Sequence, residues 1–238
     1  MKNIPVTERL IVALDVPDNR QARALVERLG NTVNFYKIGL ELFMAGKYFE
    51  LVDWLREQNK KVFVDLKFFD VPATVARAVE RLNDRGVTFA TIHGNDAIMQ
   101  AAAQAKQDVG ILAVTVLTSL DQGDLGDLGF DCNVEELVLS RAKRAVACGL
   151  DGVVASGQET RQLRAALGDN FIVVAPGIRP VANQDDQKRV VTPKQAFANG
   201  ADYIVVGRPI RDAQDPAAQA EMIQLEIAAA LDPTSSPP

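Results

Sequence analysis

Three charged residues stand close together where an apolar segment ends. Asp65, Lys67 and Asp70 belong to the stretch VFVDLKFFD, which covers residues 62–70. A lysine flanked by carboxylates is tolerated at a partly buried place because each charge offsets the next. An ammonium held there can serve as a counter-ion and as an acid. The spacing should arise by chance in roughly 5% of chains this long, so a surface ion-pair cluster is an equal alternative when the motif stands alone.

Polar side chains recur at the ends of the other apolar segments. A single such residue is more often a cap or a loop residue than part of a site, but the set as a whole favours a functional site at one end of the fold. Its members are Asp15, Lys37, His93, Thr118, Ser119, Arg179 and Arg208.

The last two apolar segments suggest what binds. Gly207 allows a ligand to approach the backbone, and Arg208 offers a fork of donors. Arg179 and Gln187 lie on the preceding long loop. In a barrel, the loops after the seventh and eighth strands form the usual phosphate site. We therefore expect a phosphorylated ligand.

The elements that must position these residues alternate regularly. Short β-branched segments are separated by amphipathic segments with helical periodicity, which predicts parallel strands covered by helices. Eight such units predict a single-domain α/β protein, a (β/α)8 TIM barrel over residues 1–231, with a frayed tail at 232–238. A doubly wound open sheet is the alternative. The predicted strands cover 9–16, 34–40, 61–68, 89–94, 111–119, 152–156, 171–178 and 203–210.

Two predicted connections are long and polar, at residues 120–133 and 179–192. Both follow the carboxyl ends of strands, where barrel enzymes build their sites. The segment GDLGDLG at 123–129 lacks the spacing and the lysine of a phosphate-binding glycine loop, so it is interpreted as a flexible loop.

Composition argues against several classes of protein. The chain has 238 residues, 47% of them hydrophobic, and a net charge of −5 without a long basic run, so neither nucleic acid nor a membrane is an expected partner. We expect a soluble cytoplasmic protein that binds a small molecule. Cys132 and Cys148 are expected to be free thiols. With His93 as the only histidine, no cysteine and histidine zinc cluster can form, and no metal is expected.

The motif VDLKFFDVPAT resembles the signature D-x-K-x-x-D-[IV]-[GP]-x-T of the orotidine 5′-monophosphate decarboxylase family, and every constrained position from Asp65 to Thr74 is met. Further segments resemble the bacterial members in order and spacing, so that the resemblance covers nearly the whole chain. They are LIVALDV, FYKIGLELF, AVTVLTS, APGIRP, DDQKRVVTP and VVGRPI.

The resemblance implies a cofactor-free carboxy-lyase that makes uridine 5′-monophosphate (UMP), the last step of pyrimidine biosynthesis. It implies a charge array of Lys37, Asp65, Lys67 and the Asp70 of a second subunit around C6 of the pyrimidine, with Lys67 as the proton donor. It also implies a homodimer, with Asp70 and Thr74 shared across the interface, and a lid at 180–191. The implied substrate contacts are Asp15, Lys37 and Thr74 for the ribose, Thr118 for the pyrimidine, and Arg179, Gln187, Gly207 and Arg208 for the phosphate.

Two rival functions fit parts of this pattern. A magnesium-dependent keto-sugar-phosphate decarboxylase or aldolase shares the D-x-K-x-x-D motif but needs a carboxylate on the second strand, where this chain has Lys37. A non-catalytic barrel that binds a nucleotide or a phosphosugar would use Arg179 and Arg208, but it has no reason to hold Lys67 between carboxylates. His93 is expected to be a packed, hydrogen-bonded residue.

Overall fold

The computed structural model describes residues 2–179 and 189–232, and these form eight parallel strands that close in sequence order. The predicted (β/α)8 barrel is confirmed and the open sheet is excluded, because the first strand pairs with both the second and the eighth. The strands are β1 Leu10–Ala13, β2 Phe35–Gly39, β3 Lys61–Phe68, β4 Phe89–Ile92, β5 Gly110–Val114, β6 Gly152–Val154, β7 Ile172–Ala175 and β8 Tyr203–Val206.

Helices follow the strands and cover the outside of the barrel. Side-chain caps such as Asp18, Asn95 and Asn133 accept hydrogen bonds from the first free backbone N–H groups and so define where helices begin. After a short 3-10 turn at Val6–Glu8, the helices are α1 Asn19–Leu29, α2 Leu40–Met44, α3 Tyr48–Glu57, α4 Pro72–Glu80, α5 Asp96–Ala105, α6 Gln122–Asp127, α7 Val134–Ala147, α8 Thr160–Leu167, α9 Pro193–Ala198, α10 Arg208–Arg211 and α11 Pro216–Leu231.

The strands separate the core into two layers. One face of each strand points into the barrel, where aromatic rings pack against each other, as the 5.6 Å between the ring centres of Phe35 and Phe89 shows. The other face packs against the helices. Along β3, Phe63 belongs to the inner cluster, whereas Val64 and Leu66 pack in the outer one. Because successive strand residues point to opposite sides of the sheet, Asp65 lies on the same inner side as Phe63, and both line a cavity there.

The structure corrects two expectations about the loops. Residues 122–127 form helix α6, not a flexible loop, because Asp121 and Asp124 build a reciprocal capping box at its start. β3 has the predicted bounds, but the other strands end earlier than predicted at their carboxyl ends; β5, for example, ends at Val114 and leaves Thr118 in a loop. Helix α11 ends at Leu231, and the predicted tail beyond Asp232 lies outside the described residues.

Candidate active site

Four charged side chains form a chain of ion pairs at the carboxyl ends of β1, β2 and β3. The ammonium of Lys37 lies 3.0 Å from Asp15 Oδ1 and 3.4 Å from Asp65 Oδ2. The ammonium of Lys67 lies 3.0 Å from Asp65 Oδ1. We call Asp15, Lys37, Asp65 and Lys67 the charge array. Since Asp65 is only 13% exposed, its carboxylate is held between two ammonium groups and largely away from water.

The array keeps Asp65 and Lys37 charged. Burial raises the pKa of Asp65, but the two ammonium groups and hydrogen bonds outweigh it, and the pKa lies below its ordinary value. Burial lowers the pKa of Lys37, but the carboxylates of Asp65 and Asp15 outweigh it, and the pKa lies above its ordinary value. The carboxylate and the ammonium are therefore both ionised at neutral pH.

Strand β3 is irregular where it carries the array. Its pairing with β4 shifts between Val64 and Phe68, so that four steps along β3 match the two steps from Ala90 to Ile92 on β4. Lys67 lies in this bulge with φ +50°, a left-handed conformation that residues other than glycine rarely adopt. Bulges re-aim side chains, and this one brings both Asp65 and Lys67 to the barrel mouth.

Two adjoining cavities open at this end of the barrel. A cavity of 180 Å³ is lined by Asp65 and Lys67, and one of 300 Å³ by Asp15 and Arg208; they share Lys37 and Thr118 in their walls. One elongated ligand could therefore reach from the acidic and basic pair at one end to the arginines at the other. Such a shape suits a nucleotide, with its base over the array and its phosphate at the far end.

The larger of these two cavities, at 300 Å³, has the character of an anion site. Arg179 is 7% exposed and donates to its neighbour's carbonyl oxygen at Ile178, and Arg208 begins α10 beside it. A Cβ at Gly207 would lie 3.8 Å from Asp15 Oδ2. Because glycine has no Cβ, this part of the cavity stays open. Gln187, also expected at the phosphate, and most of the expected lid at 180–191 lie outside the described residues.

Asp70 and Thr74 form their hydrogen bonds within their own segment. Asp70 is exposed and its carboxylate accepts a hydrogen bond from the N–H of Val71, while the hydroxyl of Thr74 accepts one from Arg77. Both line a 360 Å³ cavity together with Phe69 and Lys67. One chain thus brings together Lys37, Asp65 and Lys67 of the predicted array, with Asp15 beside them, whereas Asp70, the fourth charge of that array, bonds its own backbone neighbour.

His93 is packed beside the site. Its ring lies 5.5 Å from that of Phe69 and its Nε2 lies 3.5 Å from Arg141. Burial, followed by the charges of Arg141 and Lys67, lowers the pKa of His93, so the imidazole is neutral at neutral pH. It borders a mainly apolar cavity of 770 Å³, which is larger than the two at the barrel mouth but holds no part of the charge array.

Three residues that support the site were not predicted from the sequence. Thr91 bonds Asp65 from inside the barrel, and its only signal is a hydroxyl in the apolar strand FATI. Arg211 donates to the carbonyl oxygen of Asp15, at 2.6 Å, and lies one helical turn after Arg208. Arg189 is 8% exposed and pairs with Glu159 at 2.7 Å while bonding the carbonyl oxygens of Val116 and Leu117; its polar sequence context gave no signal.

Fold and site together define a class: a (β/α)8 barrel with a charged site at the carboxyl ends of its strands, where barrel enzymes carry out their chemistry. The chain belongs to the orotidine 5′-phosphate decarboxylase / HUMPS family, whose model matches residues 8–223. In the described residues, no cluster of three or more histidine, cysteine or acidic side chains could hold a metal ion, and no helix could cross a membrane.

Named relatives are similar over almost the full chain. An orotidine 5′-phosphate decarboxylase from Methylococcus capsulatus is 68% identical over 95% of this chain and 94% of its own. One from Stenotrophomonas maltophilia is 56% identical over 94% of each. Among solved structures, the orotidine 5′-phosphate decarboxylase from Lactobacillus acidophilus has a TM-score of 0.82 and 36% identity, covering 92% of this chain and 99% of its own.

Proposed function

We propose that this chain decarboxylates orotidine 5′-monophosphate to UMP, the last step of UMP biosynthesis, and that the charge array does so without a cofactor. The relatives named above carry that activity in their names and match nearly the whole chain. The observation that carries the mechanism is Asp65, an ionised and mostly buried carboxylate with ammonium groups at 3.0 and 3.4 Å beside a ligand-sized cavity.

The array suits a reaction in which negative charge develops on a ring carbon. When the bond between C6 and the carboxylate breaks, carbon dioxide leaves and the electron pair remains on C6. The ammonium of Lys67 stabilises that pair and then gives it a proton, so that C6 gains hydrogen and Lys67 becomes neutral until it regains a proton from water. Lys37 neutralises Asp65 from the other side and keeps the carboxylate ionised.

Binding energy comes from the far end of the substrate. Arg179, Gly207, Arg208 and Gln187 hold the phosphate, and Asp15 and Lys37 contact the ribose. Thr118, which is 8% exposed and borders both cavities, bonds the pyrimidine edge. Contacts remote from the reacting carbon can stabilise the transition state if they fix the base against the array.

The site is completed by a second subunit. Asp70 and Thr74 lie on a surface that is unusually apolar for an exposed one, and large apolar patches mark protein interfaces. In a twofold dimer, Asp70 of one chain would reach the Lys67 of its partner, and Thr74 would reach the ribose. The exposed apolar residues of this surface are Leu40, Phe43, Met44, Phe69 and Val71.

The magnesium-dependent alternative is disfavoured by the second strand. A metal site there would need a carboxylate, whereas Lys37 occupies that position and already pairs with Asp15 and Asp65. The test is the loss of orotidine 5′-monophosphate absorbance with purified protein after exhaustive chelation. Turnover should be unchanged. Activity that vanishes with EDTA and returns with magnesium would replace this proposal with the alternative.

Mixing inactive chains tests the shared site. Asp70→Ala and Lys67→Ala chains should each be inactive, yet hybrid dimers carry one intact site, so random exchange should restore about a quarter of the sites. A matched control mixes Asp65→Ala with Lys67→Ala, whose defects lie in the same half of each site, and should restore nothing. Demonstrated exchange without recovery in the first mixture would place each site within one chain.

A further inference from the structure

Thr91 contacts two members of the charge array, Asp65 and Lys67, through one hydroxyl group. This residue, in β4, is fully buried, and its Oγ1 donates to Asp65 Oδ1 at 2.9 Å. The same oxygen accepts a hydrogen bond from the backbone N–H of Lys67, also at 2.9 Å. A hydroxyl has a single proton. Since Lys67 supplies the proton of one bond, the proton of Thr91 is left to point at Asp65.

The position of Thr91 in the sheet explains why a hydroxyl is needed there. It faces the β3 bulge, between the paired residues Ala90 and Ile92 on β4. The bulge takes the N–H of Lys67 out of the regular ladder, and a buried N–H without an acceptor is costly. Lys67 also has φ +50°, a conformation that persists only where its surroundings hold it. The hydroxyl of Thr91 supplies that restraint.

We propose that Thr91 is a positioning residue for the decarboxylation, which fixes the carboxylate of Asp65 and the backbone of Lys67 so that the Lys67 ammonium is aimed at the reacting carbon. This inference rests on the function proposed above. Thr91 does not line the substrate cavities as Asp65 and Lys67 do. Its loss should therefore change the rate of the chemical step more than the binding of substrate.

The chain offers a matched control in Thr115. This residue follows β5 and is also fully buried, but its hydroxyl donates to the carbonyl oxygen of Val154, at 2.9 Å, and touches no member of the charge array. Thr115→Val thus removes a comparable buried hydroxyl without disturbing Asp65 or Lys67. If Thr91 were only a core residue, the two valine variants would behave alike.

The experiment measures kcat, KM and the urea unfolding curve for Thr91→Val, Thr91→Ser and Thr115→Val, with turnover expressed per folded chain. Thr91→Val should lower kcat by about 10 to 100-fold with KM changed by less than about threefold, as expected for a misplaced reacting group. Thr91→Ser retains the hydroxyl and should stay within about threefold of the wild type, as should Thr115→Val. Thr91→Ala serves in place of Thr91→Val if the latter fails to fold.

The outcomes separate this inference from the proposed function. If the wild-type chain turns over orotidine 5′-monophosphate but Thr91→Val has the kcat of Thr115→Val, Thr91 is a packing residue and the inference is wrong. A loss of kcat in Thr91→Ser as large as in Thr91→Val would also contradict it, because the hydroxyl would then not be what matters. If the wild-type chain has no turnover, the proposed function itself fails.

Discussion

Two buried aspartates lie at opposite ends of the barrel, and each lies between two cations. At the carboxyl ends of the strands, Asp65 pairs with Lys37 and Lys67. At the amino ends, Asp202 pairs with Lys2 at 2.8 Å and Arg164 at 2.7 Å. We call the second group the lower cluster. Around its central aspartate, each group places one carboxylate between two cations, so this arrangement alone does not decide what the groups do.

The two groups differ in where their remaining hydrogen bonds go. In the lower cluster the cations also bond the backbone: Lys2 donates to the carbonyl oxygen of Phe171, and Arg164 to those of Gly200 and Phe171. Asp202 itself accepts from the N–H of Val173. These bonds tie together the segments that enter β7 and β8. A network so fully engaged with the backbone stabilises the fold.

The charge array bonds side chains and faces open space. Within the described part of the chain, the ammonium of Lys67 pairs with Asp65 alone, and that of Lys37 with Asp65 and Asp15. All of these line cavities. Donors not committed to the backbone can turn to a ligand, and charges beside a cavity can act on one. A charged cluster whose hydrogen bonds are saturated by the backbone thus stabilises the barrel, whereas a cluster whose donors face a cavity can do chemistry.

The largest effect on stability should come from the lower cluster. Asp202→Ala leaves Lys2 and Arg164 partly buried without their carboxylate, and breaking a buried pair in this way costs about 3 to 5 kcal/mol of unfolding free energy. Turnover per folded chain should be unchanged. Urea unfolding measures the loss of stability, and kcat per folded chain measures turnover. Asp169→Ala is the control: Asp169 is 74% exposed and 3.6 Å from the same Arg164, so its loss should cost less than about 1 kcal/mol.

If kcat per folded Asp202→Ala chain also fell, the lower cluster would affect catalysis as well as stability. That result would contradict the assignment of separate roles to the two ends of the barrel.

The phosphate end of the site should affect binding more than chemistry. Arg208→Ala should remove the phosphate contact proposed above, which lies far from C6, so it should raise KM and lower kcat/KM by a factor that corresponds to roughly 2 to 4 kcal/mol. The matched comparison is a substrate that lacks the phosphate, with which the variant should lose little relative to the wild-type chain. Steady-state kinetics with both substrates measure this. Unchanged kinetics with the nucleotide would show that the phosphate does not bind beside β8.

A smaller and pH-dependent effect should follow from Asp65. Its pKa is below the ordinary value in the folded chain, so its ionisation adds stability that is fully present above the unfolded pKa, near about pH 4, and is lost as pH falls through the folded pKa. Asp65→Asn removes that contribution. The difference in unfolding free energy between the wild type and Asp65→Asn should be constant at neutral pH and should shrink below about pH 4.

Urea unfolding between about pH 3 and 7 measures this difference. A difference that grows toward acid would mean that burial outweighs the two ammonium groups at Asp65.

Much of this architecture was predictable from the sequence. The strand and helix alternation predicted the barrel, and the alternation along β3 placed Phe63 and Asp65 on the inner face, because both depend on local periodicity. The β3 bulge, the left-handed Lys67 and the role of Thr91 were not predictable, since they depend on pairing between residues 24 to 26 positions apart. Helix α6 was missed because its glycines outweighed its capping box in the sequence pattern.

The most direct test of the account is the turnover and the nucleotide binding of Lys67→Ala in a sample shown to be folded. Lys67 is 31% exposed at the barrel mouth and contributes no core packing, so the fold should persist. The account predicts that turnover is abolished while UMP still binds, more weakly because Asp65 loses a counter-ion, and that Lys67→Arg gives no rescue, because a guanidinium holds its proton too tightly. Turnover within about tenfold of the wild type, in protein free of host enzyme, would contradict it by leaving the proposed decarboxylation without its acid.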